Sequence, residues 1–297
     1  MSPFSGLFTP IATPFLADGL DEAGLRENVR HWMGTPLRGL VVLGSNGEAP
    51  HLSEAEADRV VEQVRDAMPA DRLLIAGTGR ESTRATIEAS VRAARLGANA
   101  VIVRTPGFYK GQMTTAALVR HYRAVADASP VPVLLYNVQM YTGVLLAPAG
   151  VAELAAHPNI VGIKESGGDI GHIAEVVNRV PPEFAVLAGS ATTFCSALAA
   201  GCTGGVLALA ALAPDACLRL IALVAGGQLA EARALQRQLN PLARSVGTLH
   251  GVAGFKAALD LIGLAGGMPR APLSPAPAEV VSEIREQLAA LGLAVRG

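Results

Sequence analysis

The chain has 297 residues, enough for one large domain or a barrel with an appendage, and a core of that size needs no disulfide or metal staples. Apolar residues make up 51% and charged residues 16%, against about 25% charged in an average globular protein, so much of the chain is expected to be buried. The net charge is -1 and no basic run is present, which disfavours nucleic acid as a partner.

The sequence predicts neither export nor membrane insertion, and it predicts reduced cysteines. The longest apolar stretch, residues 206–213, is shorter than the roughly 20 residues that a membrane-spanning helix needs. The first twenty residues lack the basic and apolar segments of an export signal, so we expect a cytoplasmic location and no membrane contact. Cys195, Cys202 and Cys217 have no C-x-x-C spacing, and we expect them to be reduced thiols that contribute to packing.

Short β-branched runs alternate with longer stretches of helical period along the first two thirds of the chain, which is typical of βα units around a parallel sheet. Eight strands are predicted, and eight parallel strands close into a barrel. The predicted strands are residues 6–10, 40–43, 73–77, 100–103, 133–136, 160–164, 185–188 and 205–208. Neither a G-x-G-x-x-G nor a G-x-x-x-x-G-K motif occurs, so no nucleotide cofactor is expected.

Helix-start signals support this division. Ser53 with Glu56 forms a predicted capping box, and further starts are predicted at Ser82, Thr114, Pro148 and Asp169. No strand is predicted after the eighth, and residues 214–293 show three or four helices punctuated by glycine and proline. The sequence therefore predicts an α/β fold, a (β/α)8 TIM barrel over residues 1–213 followed by a C-terminal helical region over residues 214–297.

Lys164 is the first candidate for chemistry, because catalytic groups of such barrels lie at the C-terminal ends of the strands. Only three of the 24 basic residues are lysines, so a lysine at the end of the apolar run 160–163 invites explanation. A buried lysine favours its free amine, which attacks a ketone and forms a Schiff base, whereas arginine does not release its proton. The alternative is a lysine that ends a strand and extends to solvent.

Three other polar residues follow neighbouring strands. Tyr136 ends the preceding strand, so its phenol can share a pocket with Lys164 and carry protons, or else it caps the barrel core. Ser45 and Asn46 lie between glycines, in a turn that either binds a carboxylate or is an ordinary Ser-Asn-Gly turn. Glu48 is expected to support this loop rather than act as an acid catalyst. The six histidines show no metal-ligand spacing, and we expect no required metal.

These strand-end segments resemble the pyruvate-dependent class I aldolases, the family of dihydrodipicolinate synthase, N-acetylneuraminate lyase and 4-hydroxy-2-oxoglutarate aldolase. The resemblance covers almost the whole chain. It is carried in order by Thr13-Pro14-Phe15, Gly44-Ser45-Asn46-Gly47-Glu48, Thr105-Pro106, Tyr136-Asn137-Val138, Gly162-Ile163-Lys164-Glu165-Ser166 and the glycines of residues 201–205.

The resemblance implies a homotetramer built as a dimer of dimers, and a reaction that needs neither metal nor organic cofactor. Lys164 would form the imine, Tyr136 would carry the proton, and Ser45 would extend the relay. The implied contacts to the 2-oxo acid (pyruvate) and to an aldehyde partner are Asn46, Ser166, Gly189, Leu207, Tyr109 and Tyr141. In the family a tyrosine from a second subunit completes the relay, but the aligned residue here is Phe108, and Tyr109 would point elsewhere on an unchanged backbone.

Within the family, the Ser-Asn loop and the Lys-Glu-Ser-Gly-Gly-Asp spacing resemble 4-hydroxy-2-oxoglutarate aldolase, which splits its substrate into pyruvate and glyoxylate. Synthases usually carry Thr-Thr in the loop and an arginine at the position of Tyr141. We therefore expect a Schiff-base lyase acting on a 4-hydroxy-2-oxoglutarate-like acid. The alternatives are a synthase-type condensation, a sugar-acid dehydratase or aldolase, and a non-catalytic 2-oxo acid binding protein. A purely structural protein would require Lys164 to face solvent.

Overall fold

Eight parallel strands close into a barrel in the computed structural model of the chain, which describes residues 2–17 and 19–296. In chain order the strands are β1 (Gly6–Pro10), β2 (Phe15–Leu16), β3 (Gly19–Leu20), β4 (Gly39–Val42), β5 (Leu73–Gly77), β6 (Ala100–Arg104), β7 (Val133–Asn137), β8 (Ile160–Glu165), β9 (Ala185–Ala188) and β10 (Gly204–Val206). Strands β1 and β4 to β10 form the barrel in sequential order, with β10 paired to β1. The predicted (β/α)8 TIM barrel is confirmed.

Helices cover the outside of the barrel and continue after it. They are α1 (Glu22–Met33), α2 (Glu54–Ala67), α3 (Thr83–Arg95), α4 (Thr115–Ala128), α5 (Gln139–Thr142), α6 (Pro148–Ala155), α7 (Ile170–Arg179), α8 (Phe194–Ala199), α9 (Pro214–Ala225), α10 (Leu229–Arg244), α11 (Gly251–Leu261) and α12 (Ala278–Ala290). The last four match the predicted C-terminal helices. A boundary at residue 213 stays a proposal, because residues on both sides of it line the same cavity.

The predicted helix starts agree with the capping geometry. The Ser53 hydroxyl accepts from the Glu56 backbone N–H while the Glu56 carboxylate accepts from the Ser53 N–H, which is the predicted capping box. Side chains of Ser82, Thr114 and Asp169 likewise accept from the third residue of their helices, α3, α4 and α7. These caps satisfy backbone donors that a helix leaves unpaired, so the local sequence determines where the helices begin.

Besides shifts of one residue at the ends of several strands, three details differ from the predictions. The last barrel strand ends at Val206, not at Ala208, because Ala208 already belongs to a 3-10 helix. The small antiparallel pair β2 and β3 was not predicted, since each strand has only two residues. Gly247 does not separate two helices as a turn but lies within a π-helical segment, Ser245–Leu249, between α10 and α11.

Alternation along the strands separates two apolar layers. Side chains such as Phe8, Ile75 and Leu134 fill the barrel interior, and a larger cluster packs between strands and helices. Cys195, Cys202 and Cys217 are buried free thiols, as expected. Within the described ranges, none of the helices is long and apolar enough to cross a membrane.

Candidate active site

Lys164 and Tyr136 lie side by side at the C-terminal end of the barrel. The two residues are register partners on β8 and β7, so both side chains point into the interior. Lys164 is only 4% exposed, so its side chain does not extend to solvent. Its Nζ donates to the Tyr136 hydroxyl at 3.3 Å and lies 4.4 Å from the centre of the ring. The structure therefore brings together the amine and phenol that the sequence singled out.

Ser45 extends this pair to three groups. It belongs to a loop of residues 43–48, called the Ser45 loop below, that follows β4. The Ser45 hydroxyl is 3.4 Å from the hydroxyl of Tyr136. Burial raises the pKa of Tyr136, but the charge of Lys164 and the hydrogen bonds with Ser45 and Lys164 outweigh burial and lower this pKa. A phenol with a lowered pKa, placed between an amine and a hydroxyl, is suited to accept and return a proton.

Gly189 leaves the space that the lysine side chain needs. A methyl group at this position would lie 2.0 Å from the Ser166 hydroxyl oxygen and 3.0 Å from Cε of Lys164. Gly189 follows β9, and its backbone N–H donates to the carbonyl of Glu165 at 2.7 Å. The absence of a side chain at residue 189 thus lets Ser166 and Lys164 share one niche.

A cavity of about 90 Å³ opens above these residues. Its lining includes the predicted residues Ser45, Asn46, Tyr136, Tyr141, Lys164, Ser166 and Gly189, and Lys164 is the one cationic side chain in that lining among the residues that the structure describes. A larger cavity of about 780 Å³ adjoins it and shares Ser45, Tyr136 and Tyr141. A small acid held at Lys164 would therefore face a wide, mostly apolar approach.

Two predicted contacts lie elsewhere. Tyr109 is 70% exposed and lines neither cavity, whereas its neighbour Phe108 lines the larger one. Leu207 also lines neither cavity: its side chain is fully buried in the layer outside the barrel, and its carbonyl accepts from the Thr9 hydroxyl at 3.2 Å. Because side chains alternate along the chain here, Val206 and Ala208 line the small cavity instead.

Several residues of the C-terminal region also line the small cavity, which was not predicted from the sequence. Ala243, Gly247, Thr248, Gly251 and Val252 approach Lys164 from the π-helical segment and its flanking helices. Such π-helical turns are frequent at functional sites. The unexpected glycine at position 247, within an otherwise helical stretch, is the one local signal that could have indicated this approach.

A buried carboxylate lies on the outer face of β8. Glu165 points away from the barrel interior and is 2% exposed, and its Oε2 accepts from Asn137 at 2.8 Å and contacts Nε2 of His172 at 3.1 Å. The hydrogen bond and charge of Glu165 raise the pKa of His172 more than burial lowers it. This network ties the ends of β7 and β8 to α7. Among residues 2–17 and 19–296, no cluster of three His, Cys, Asp or Glu side chains could hold a metal ion.

Comparisons with known proteins agree with this geometry. Residues 3–291 match the family model described as the dihydrodipicolinate synthetase family. The chain belongs to this family. It is 37% identical over 287 residues to a 4-hydroxy-tetrahydrodipicolinate synthase of Methanothrix thermoacetophila, and the match covers 96% of each chain.

Two solved structures are similar over nearly the full length. A dihydrodipicolinate synthase from Thermotoga maritima superposes with a TM-score of 0.93 at 32% identity, covering 98% of this chain and 99% of the other. A chloride-inhibited dihydrodipicolinate synthase from Acinetobacter baumannii, complexed with pyruvate, gives 0.91 at 31% identity, with 97% and 99% covered. The chain is thus an enzyme of the pyruvate-dependent class I aldolase type, a lyase or synthase.

Proposed function

We propose that Lys164 forms a Schiff base with the keto carbon of pyruvate or of a larger 2-oxo acid. The amine attacks C2, water leaves, and the protonated imine accepts the electron pair when the bond between C3 and C4 breaks. The observation that carries this proposal is the burial of Lys164 with its Nζ 3.3 Å from the hydroxyl of Tyr136, inside the small cavity.

The other residues take roles that follow from their places. Tyr136 takes the proton from the C4 hydroxyl during cleavage, and Ser45 passes it on. Asn46 and the backbone of the Ser45 loop hold the carboxylate next to the imine, and Ser166 faces the second reactant. Gly189 keeps the niche open, and Tyr141 covers the outer part of the cavity.

For the substrate we propose a 4-hydroxy-2-oxoglutarate-like acid, cleaved to pyruvate and glyoxylate. Support comes from Tyr141, which stands where synthases of the family usually carry the arginine that grips the carboxylate of their semialdehyde substrate. A condensation of pyruvate with that semialdehyde is the second candidate, and it is favoured by the names of the relatives, which are 4-hydroxy-tetrahydrodipicolinate synthases.

Assembly and location belong to the same proposal. A homotetramer would allow Tyr109, which is exposed, to reach the site of a second subunit, while Leu207 would contribute only through its backbone. The homotetramer and a cytoplasmic location stay predictions. Phe108 brings no hydroxyl to the relay, and this is the one observation that favours the rival, a 2-oxo acid binding protein without turnover.

The proposal is tested by assaying two reactions, cleavage and condensation, with the wild type and with a variant of Lys164 as the control. Pyruvate release from 4-hydroxy-2-oxoglutarate is measured beside condensation of pyruvate with the semialdehyde, and borohydride is added to trap the imine. Lys164→Arg keeps the positive charge but cannot form the imine. Cleavage by the wild type, with a reduced adduct on residue 164 alone, is the expected result. Condensation without cleavage would favour the synthase, trapping without any turnover would favour a binding protein, and no adduct at Lys164 would refute the proposal.

A further inference from the structure

Glu48 ends the Ser45 loop, and its carboxylate is held by the C-terminal region. The side chain is fully buried, and Oε1 lies 2.6 Å from Nζ of Lys256, which is 1% exposed. Oε2 accepts a hydrogen bond from the backbone N–H of Arg270 at 2.8 Å and contacts Nδ1 of His51 at 3.3 Å. Lys256 belongs to α11 and Arg270 follows it, so residues more than 200 positions away fix the end of this loop.

The backbone of the Ser45 loop needs such support. Leu43 and Glu48, at its two ends, have φ angles of +56° and +54°, in the left-handed region that residues with side chains rarely adopt. Residues persist in this region only when their surroundings hold them there. On the barrel side, the Thr13 hydroxyl donates to the Gly47 carbonyl at 2.7 Å. On the opposite side, the Glu48 carboxylate is held by Lys256 and by the backbone N–H of Arg270.

Stability alone does not explain a buried ion pair such as that of Glu48 and Lys256. Removing two charges from water costs free energy that their attraction repays only in a well-defined geometry, and an apolar pair of similar volume is often at least as stable. The geometry here is well defined, since Lys256 Nζ also donates to the Met268 carbonyl at 2.9 Å and lies 4.4 Å from the centre of the Phe15 ring. Lys256 is also one of only three lysines in a chain that otherwise uses arginine.

We propose that Glu48 and Lys256 are positioning residues for the reaction: their ion pair holds the Ser45 loop where the Ser45 hydroxyl meets Tyr136. Through this pair the C-terminal helical region then acts on proton transfer, although neither Glu48 nor Lys256 lines the small cavity. Losing the pair would relax the left-handed residues and displace Ser45, which lies three residues before Glu48. This inference rests on the proposed function, because it assigns proton transfer to Tyr136 and Ser45.

The experiment measures proton transfer with pyruvate alone. On the protonated imine, a C3–H bond breaks and its proton passes to Tyr136. The electron pair of that bond forms C2=C3 while the pair of the C2=N double bond returns to nitrogen, which gives an enamine. In D2O the reverse step adds deuterium to C3. The rate at which the pyruvate methyl signal disappears from the NMR spectrum therefore measures proton transfer through Tyr136. Imine occupancy is measured separately, by borohydride trapping and mass spectrometry. The ratio of the two separates positioning of the relay from binding of pyruvate.

The main variant removes both charges, Glu48→Gln with Lys256→Met, because a single change at Lys256 leaves a buried unpaired carboxylate. We expect unchanged imine occupancy at saturating pyruvate and exchange slower by about tenfold to a hundredfold, the size of effect that a small misplacement has. The matched control is Leu259→Ala, a fully buried change on the same helix, which should lower Tm but leave exchange unchanged.

Each outcome has a distinct meaning. Exchange at the wild-type rate in the double variant overturns the inference. The inference also fails if Leu259→Ala slows exchange as much, or if the double variant does not fold, since the pair is then structural. Lys256→Arg alone, which retains a cation opposite the Glu48 carboxylate, should keep part of the exchange rate that the double variant loses, and a rate as low as that of the double variant counts against positioning. An absence of trapped imine in the wild type would instead remove the proposed function itself.

Discussion

The Nζ atom of Lys164 and the hydroxyl of Tyr136 lie 3.3 Å apart because their residues are register partners on adjacent parallel strands. Two groups fixed on barrel strands hold their separation better than groups on loops, so the amine and the phenol are placed before any substrate binds. Ser45 is different: it reaches Tyr136 from a loop, at 3.4 Å. We therefore treat the strand pair, Lys164 and Tyr136, separately from Ser45, whose position depends on its loop.

Removing the phenol should stop proton transfer but not imine formation. We expect Tyr136→Phe to lower kcat by about 10²-fold to 10⁴-fold, the usual contribution of a general acid–base group. Borohydride should still trap the pyruvate adduct on Lys164. The control is Tyr122→Phe, which removes a fully buried hydroxyl that donates to the Val103 carbonyl at 3.1 Å and lines neither cavity. Equal loss of kcat in both variants would contradict the role of Tyr136.

Position 189 should tolerate no side chain. In Gly189→Ala the new methyl group would stand 2.0 Å from the Ser166 hydroxyl oxygen, so Ser166 and Lys164 must move. We expect pyruvate KM to rise and imine trapping to fall, each by roughly tenfold or more, since misplacement by 1 Å costs up to about 10²-fold. Gly111→Ala is the control, because nothing lies within 4 Å of a methyl group there. Normal trapping in Gly189→Ala would show that the niche is wider than the structure indicates.

The pair of His172 and Glu165 predicts a pH-dependent stability. Glu165 raises the pKa of His172 in the folded protein, so the charged pair stabilises the fold fully below the unfolded histidine value of about 6.5. That contribution is lost as pH rises through the raised folded value. We expect His172→Gln to lower the free energy of unfolding by about 1.5 to 3 kcal/mol in weakly acidic buffer, and by less in alkaline buffer.

Chemical denaturation at several pH values measures this difference between wild type and variant. A control is Asp127→Asn, which removes the partner of His157, a contact of 3.0 Å with a mostly exposed carboxylate. Solvent screens that pair, so its removal should change little. A wild-type advantage over His172→Gln that grows with increasing pH would have the wrong sign and would refute the assignment.

Much of the barrel follows from local sequence. The strand run 160–164 and the caps at Ser82 and Asp169 each have a physical cause within a few residues, namely apolar patterning or a side-chain oxygen for a free backbone donor. Lys164 and Tyr136 were predictable as neighbours because consecutive strands pair in a barrel. Their catalytic roles remain predictions, whereas their proximity is confirmed by the 3.3 Å contact.

Contacts between distant segments were not predictable in this way. The ion pair of Glu48 with Lys256 joins residues far apart in sequence, and periodicity carries no information on such pairs. The same holds for Thr248, which enters the small cavity through a π-helical turn. Leu207 lies outside both cavities for a simpler reason: its side chain alternates with that of Val206 and packs in the layer outside the barrel.

Substrate preference should respond to a charge at position 141. Tyr141 is 57% exposed and lines both cavities, and in synthases of the family an arginine usually stands at this position. In Tyr141→Arg, a carboxylate on the incoming aldehyde would gain a charge-assisted hydrogen bond, worth about 1.5 to 3 kcal/mol or roughly tenfold to a hundredfold in kcat/KM. We expect condensation of pyruvate with the semialdehyde to improve by this factor.

The matched control places the same charge outside the cavities. Tyr109→Arg alters a tyrosine that is 70% exposed and lines neither cavity, so a general electrostatic effect on an anionic substrate would appear in both variants. An improvement confined to Tyr141→Arg would show that residue 141 contacts the second reactant. If Tyr109→Arg improves condensation equally, the gain is long-range steering, and raised salt should abolish it. If neither variant changes the ratio of condensation to cleavage, Tyr141 does not select the aldehyde.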